Sequence, residues 1–424
     1  MRTAGRSSPG FSMRDRRTIF LLSVTALVVG YGASVISATL PYVRVAMDLS
    51  EGAMFWIFGI TRALSLAGIL FAFTADRQGR RDAFLVAFAL IPVGNLLAGL
   101  LPSPVTFTIA QGITRIGVVG VAALAVVILA EELTPAVRAL GIGIYAIAGS
   151  VGAGLGLLLL PVADGGDNRW RILFGLTALG LLALPLLNRF LEESRAFIRP
   201  SPRVGYAAVM ESNEGRYLWT LAGIAFLVAL FSSPAFNFVL ERLVNDLEWT
   251  SRSATMLLVV ASGVGTVGLL VGGRLADTSG RRQVAGLGII IGLIGGVGVY
   301  FVDTPVLLGV TIFLGTLGAT MLTPAFAAHR SELFPTRVRA SAAGLITNAG
   351  IVGSILGFVI GALVVDSIGL SRTVAFLGIG LLLAVWLVFQ LPETKGRVLV
   401  ERGGEAHPAD GAGEHARVDE FNPR

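Results

Sequence analysis

Twelve stretches of roughly twenty mostly apolar residues follow one another along this chain, and no other feature limits its fold as tightly. A helix of about that length crosses about 30 Å of hydrocarbon. Backbone polar groups find no water there, so each stretch must satisfy its own hydrogen bonds as a helix. The stretches run 18–40, 54–74, 83–101, 104–130, 139–162 and 170–191, then 217–240, 254–275, 283–302, 306–328, 339–365 and 371–391. Only 14% of residues are charged, against about 25% in soluble domains, which removes a reading as two or three soluble domains. Arg14, Arg16 and Arg17 precede the first stretch. It is too long for a signal-peptide core of about 7–15 residues, so it reads as the first span.

Loop charge sets the expected orientation. All but one of the 33 basic residues are arginine, and most lie on the same side as the N-terminus. The opposite loops hold Arg44, Arg169, Arg171, Arg242, Arg252 and Arg372. Positive loops stay inside, so both termini are expected in the cytoplasm, with the chain multi-pass in the plasma membrane, or the inner membrane of a bacterium. The net charge of +6 is thereby assigned to orientation, and nucleic acid is not an expected partner. The expected divisions are a cytoplasmic N-terminal tail at 1–17, a six-helix bundle at 18–191 and a cytoplasmic linker at 192–216. A second six-helix bundle follows at 217–391, and a disordered cytoplasmic tail at 392–424.

Three motifs recur about 200 residues apart. Asp76-Arg-Gln-Gly-Arg80-Arg81 returns as Asp277-Thr-Ser-Gly-Arg281-Arg282. Glu132-Leu-Thr-Pro with Arg138 returns as Glu332-Leu-Phe-Pro with Arg339, and Leu191-Glu-Glu193-Ser as Leu391-Pro-Glu393-Thr. The same order at the same loop positions means two parallel six-helix halves. These residues resemble the motifs of the major facilitator superfamily, in its sugar-porter-like and organic-solute branches, over nearly the whole chain. Arg115 with Gly117 and Gly120, and Pro392-Glu393-Thr394-Lys395-Gly396-Arg397, are similar to further motifs of that family. The resemblance implies an all-α integral membrane fold of 12 transmembrane helices in two pseudo-symmetric six-helix bundles, moving a small solute by alternating access. Asp76, Arg80, Arg81, Glu132, Arg138, Glu193, Asp277, Arg281, Arg282, Glu332, Arg339 and Glu393 are expected to form an inner charge network. Arginine forks and carboxylates make latches that break and re-form, and these are expected to pair across the two halves.

Charges inside the bilayer cost at least about 2.5–3.5 kcal/mol each, so they are functional candidates. Arg62 in span 2 and Arg115 in span 4 stand near the midplane, roughly 12 and 16 Å from their outer ends. In the proton-coupled sugar porters the resemblance would pair the span 4 arginine with a span 1 aspartate; here that position is Gly32, in Gly30-Tyr31-Gly32-Ala33-Ser34. No Asp or Glu stands mid-span elsewhere. A cationic solute would want such an acid, whereas a carboxylate would itself complete the arginines. The expected solute is a small organic anion, carried with protons as the coupling ion, with Arg62, Arg115, Tyr31, Asn237 and Asn348 as candidate contacts. A sugar or polyol carrier and a multidrug-type exporter stay open.

Other chemistries lack their parts. The glycine run Gly263-Val-Gly-Thr-Val-Gly268 lies inside an apolar span with no preceding strand, so it is not a dinucleotide loop. The only lysine, Lys395, is in no phosphate-binding loop, and three scattered histidines without cysteine offer no metal site. The chain is expected to be no enzyme, to need no cofactor, and to act as a monomer.

Overall fold

The computed structural model describes residues 12–101, 103–134, 137–166, 168–193, 215–334 and 336–395. Most of the 192–216 linker, the N-terminal tail before Ser12 and the tail after Lys395 lie outside the described residues. Spans 1 to 6 are Met13–Ala38, Glu51–Ala75, Arg80–Leu100, Pro104–Glu132, Leu140–Gly165 and Trp170–Phe190. Spans 7 and 8 are Gly215–Asp246 and Ser251–Ser279, and spans 10 to 12 are Pro305–Leu333, Ser341–Ile368 and Leu370–Gln390. These eleven are long and apolar enough to cross a membrane on length and composition alone. Span 9, Arg281–Gly298, is shorter and opens on Arg281-Arg282-Gln283, which dilutes its apolar character. We call the arginine-rich end the inner face, the side on which the charge rule expects the cytoplasm.

Local sequence sets the helix ends. Ser12 caps span 1 by accepting from the Asp15 N–H while Asp15 reaches back, a reciprocal capping box. Ser50, Ser103 and Thr250 cap spans 2, 4 and 8 through their side chains. Pro104 and Pro305 follow their caps, where a missing N–H costs nothing. Helices run past the expected apolar boundaries: span 2 starts at Glu51 and span 8 continues to Ser279.

The two halves repeat in detail. Span 1 packs on span 5 as span 7 packs on span 11, and span 3 on span 4 as span 9 on span 10. A Cβ on Gly152 would lie 2.0 Å from the Leu27 carbonyl oxygen, and one on Gly353 2.1 Å from that of Phe226. Small residues let backbones touch where lipid supplies no hydrophobic drive. Spans 2 and 8 both tighten or break midway, at Leu66–Ile69 and at Thr266–Val267. Asp48 and Glu248, 200 residues apart, both take left-handed backbone, φ 50° and 56°.

Candidate functional site

Arg62 and Arg115 each stand eleven residues into their helix, counted from Glu51 and from Pro104. At 1.5 Å per residue that is about 16 Å deep in both cases. Arg115 is 7% exposed, and Arg62 is half-buried with its Nε unpartnered. Spans 2 and 4 pack on each other, so the two arginines stand at one depth on neighbouring helices. Among the described residues neither has an acid or a hydrogen-bond acceptor. Two like charges beside each other at the midplane are costly unless an anion joins them.

One turn outward of Arg115, the Gln111 Nε2 donates to Asn95 Oδ1 at 2.9 Å, and Asn95 Nδ2 donates to the Gly32 carbonyl at 3.1 Å. A Cβ at Gly32 would meet Ile91 at 2.7 Å and the Asn95 amide nitrogen at 2.8 Å. The place where the resemblance puts an acid is therefore occupied by a neutral amide pair from spans 3 and 4. Asn95, a polar group inside a span, reads from sequence as an interhelical bond rather than a solute contact, and it makes that bond; Gln111 was not a candidate. Two amides sixteen residues apart give no signal of their pairing until the helices are packed.

A cavity of about 490 Å³ lies between the halves. Its polar groups are neutral: Ser34 and Ser37 from span 1, Asn237 from span 7, Ser262 from span 8 and Thr311 from span 10. Glycines 292, 295, 296 and 315 form much of the wall on the second half. Asn237 is in place as a lining residue; it accepts from the Ser37 hydroxyl and donates to the Ser233 carbonyl at 2.7 Å. Tyr31 is not among the lining residues. It is 7% exposed and its hydroxyl donates to the Leu173 carbonyl at 2.8 Å, tying span 1 to span 6. The Arg62, Arg115 and Asn348 side chains also lie outside this lining.

Above the arginines the outer face is shut by two layers. Phe55 stacks on Phe238 with centroids 4.1 Å apart, and Phe58 on Phe358 at 5.2 Å, each pair joining the halves. Phe58 is one turn outward of Arg62. Beyond the rings lie polar contacts between the halves. Arg44 Nε donates to Glu241 at 2.5 Å, the Gly52 N–H to Asp366 at 3.1 Å, and the Ser251 hydroxyl to Asp164 at 2.5 Å. The described hydrogen bonds and ion pairs that join the halves all lie toward this face.

The inner face differs from the expected cross-half network, because its described pairs close within one half. In the first half Arg80 pairs with Glu131, and Arg14 with Glu132 at 2.5 Å. In the second, Arg281 bonds Asp277 at 2.6 Å and Glu332 at 3.1 Å. Glu193 and Glu393 bind backbone. Glu193 accepts the N–H of Arg80 at 2.9 Å and of Arg81 at 3.2 Å; Glu393 accepts those of Arg281 at 2.8 Å and Arg282 at 3.2 Å. Each carboxylate caps the start of span 3 or span 9, where free N–H groups and the helix dipole favour an anion. Gly79 and Gly280 make this approach possible: φ is 113° and 122°, and a Cβ on either would lie 2.6 Å from the carboxylate. Burial raises the Glu393 carboxyl, but backbone donors from Arg281, Lys395, Arg282 and Thr394 outweigh it and hold the group below the usual range.

Arg81 reaches the Leu191 carbonyl at 2.8 Å, and Arg282 reaches that of Leu391 at 3.5 Å. Arg339 Nε donates to the Phe334 carbonyl at 3.2 Å, and Arg138 opens the fifth helix with its Nε unpartnered among the described residues. The Asp76 side chain lies outside the described residues.

The family model of the Major Facilitator Superfamily matches residues 22–220 and again 221–420. The chain belongs to the major facilitator superfamily. A probable 4-methylmuconolactone transporter of Cupriavidus pinatubonensis is 28% identical over 356 residues, 80% of each chain. The fold matches a bacterial homologue of the human lysosomal transporter Spinster in an inward-facing, unoccupied conformation. The TM-score is 0.77 at 17% identity, over 90% of this chain and 98% of that one. A D-xylose-proton symporter matches with a TM-score of 0.73 at 19% identity, over 91% and 100%. This superfamily member is a multi-pass membrane transporter of small solutes, not an enzyme.

Proposed function

We propose that this transporter moves a small organic anion bearing a carboxylate, coupled to protons, by alternating access, acting as a monomer in the plasma membrane with both termini cytoplasmic. The observation that carries the reading is the pair of Arg115, buried, and Arg62, half-buried with its Nε unpartnered, near the midplane with no acid partner among the described residues. A carboxylate seated there replaces the missing counter-charge through charge-assisted, bidentate bonds. The relative from Cupriavidus pinatubonensis supports the class, since a muconolactone is a small cyclic acid.

The ion pairs held within each half make each bundle one stiff body, so the halves rock against each other around the site. The closed outer face and its aromatic layer correspond to the inward-facing stage of that cycle. In the opposite stage the inner acids and arginines act as the gate.

A sugar or polyol is the second reading. The neutral hydroxyls of Ser34, Ser37, Ser262 and Thr311 around the cavity favour it. Uptake into proteoliposomes separates the two. With an inward proton gradient, small carboxylates should accumulate and saturate, while pentoses and polyols compete at least tenfold less well. Accumulation of sugars unaffected by excess carboxylate would overturn the proposal.

A further inference from the structure

We propose that Glu241 and Arg44 form the latch that holds the outer face of the transporter shut, braced on each side by Asp164 and Asp366. The contacts obey the internal repeat. Asp164, at the end of span 5, binds the Ser251 hydroxyl at the start of span 8. Asp366, near the end of span 11, takes the Gly52 N–H at 3.1 Å and the Ser50 hydroxyl at 3.3 Å at the start of span 2. Ser50 and Ser251 are 201 residues apart and the two aspartates 202, so these are one contact made twice, once by each half. A Cβ on Gly52 would lie 2.4 Å from Asp366, so this glycine admits the carboxylate.

The central pair is also made twice, but unequally. Asn245, 201 residues after Arg44, donates to the Pro41 carbonyl at 3.4 Å, and Pro41 precedes Glu241 by 200. One copy of the contact is a weak neutral bond and the other an ion pair. Glu241 is 0% exposed; its Oε1 takes both Arg44 Nε at 2.5 Å and Asn245 Nδ2 at 2.8 Å. Its Oε2 is buried without a described partner. A buried charge that loses its partner is worse off than one exposed to water. Removing Arg44 strands the buried Glu241 charge, and removing the Glu241 charge deletes the attraction between the halves, so either change favours the state in which this face opens and hydrates. The latch and its braces join the halves, unlike the described ion pairs of the inner face.

The inference rests on alternating access and not on the identity of the solute, and its test uses no solute. The native chain has no cysteine, so Ser262→Cys places a single thiol in the cavity lining. In sealed right-side-out vesicles a membrane-impermeant maleimide added outside should label this variant slowly. Adding Glu241→Gln or Arg44→Glu should speed labelling at least tenfold, and the exchange Arg44→Glu with Glu241→Arg should return it to within threefold of the parent. Should Glu241→Gln fail to reach the membrane, Arg44→Gln carries the same test. Single variants that are monodisperse in detergent yet label at the parent rate overturn the proposal. So does an exchanged pair that labels as fast as the single variants.

Discussion

Replacing Arg115 by alanine is expected to lower kcat/KM for a carboxylate solute by on the order of 100-fold, with membrane insertion intact. The side chain is 7% exposed, stands near the midplane and has no acid partner among the described residues. Removing it relieves the protein of a buried charge, so the bundle gains rather than loses stability. The solute loses a charge-assisted fork, and the loss falls on transport alone. Arg115→Lys keeps the charge but not the planar geometry, so it should recover part of the activity and not all of it. Initial uptake rates in proteoliposomes across a range of solute concentrations check this. A variant with unchanged KM and rate would remove Arg115 from the solute path.

Valine at Gly353 should have the second large effect, and through the fold instead of the chemistry. The added Cβ would sit 2.1 Å from the Phe226 carbonyl oxygen on the neighbouring helix. Backbone cannot step aside as a side chain does, so the cost exceeds the roughly 1–3 kcal/mol usual for overpacking. Gly152→Val, at 2.0 Å from the Leu27 oxygen in the first half, should behave the same way. Both should lose most of the monodisperse protein in detergent and all transport. Gly143→Val is the control, because a Cβ there meets nothing within 4 Å. Equal yields of folded protein from all three would contradict the packing described.

The spans were legible because hydrocarbon thickness imposes a length, and lipid leaves a helix no polar partner but itself. Their ends were less so. Glu51 and Ser279 belong to helices, yet hydropathy counts them as loop. The repeat was legible from Asp76–Arg81 and Asp277–Arg282 as strings of letters. Its meaning at Glu193 and Glu393 was not, since their partners are backbone N–H groups that carry no letter.

At the candidate solute site, Arg62 and Arg115 announced themselves by being charges in apolar runs. Tyr31 was a weaker candidate, a polar group in a span, and packing shows its hydroxyl spent on Leu173. The outer contacts were hidden for a further reason. Arg44 and Glu241 are 197 residues apart, and no local pattern pairs them. The repeat offset relates each half to its copy, not to its contacts with the other half.

In the proposed transport cycle two rigid halves rock around a shared site. Spin-label distances test it most directly in this cysteine-free chain. One labelled pair, Val105→Cys with Val306→Cys, spans the outer ends of the halves; another, Asp82→Cys with Gln283→Cys, spans the inner ends, all four positions being exposed. When a transported solute or a proton gradient shifts the population, the outer distance should lengthen as the inner one shortens. Both distances changing in the same direction, or neither changing while transport proceeds, would rule out rocking of the halves.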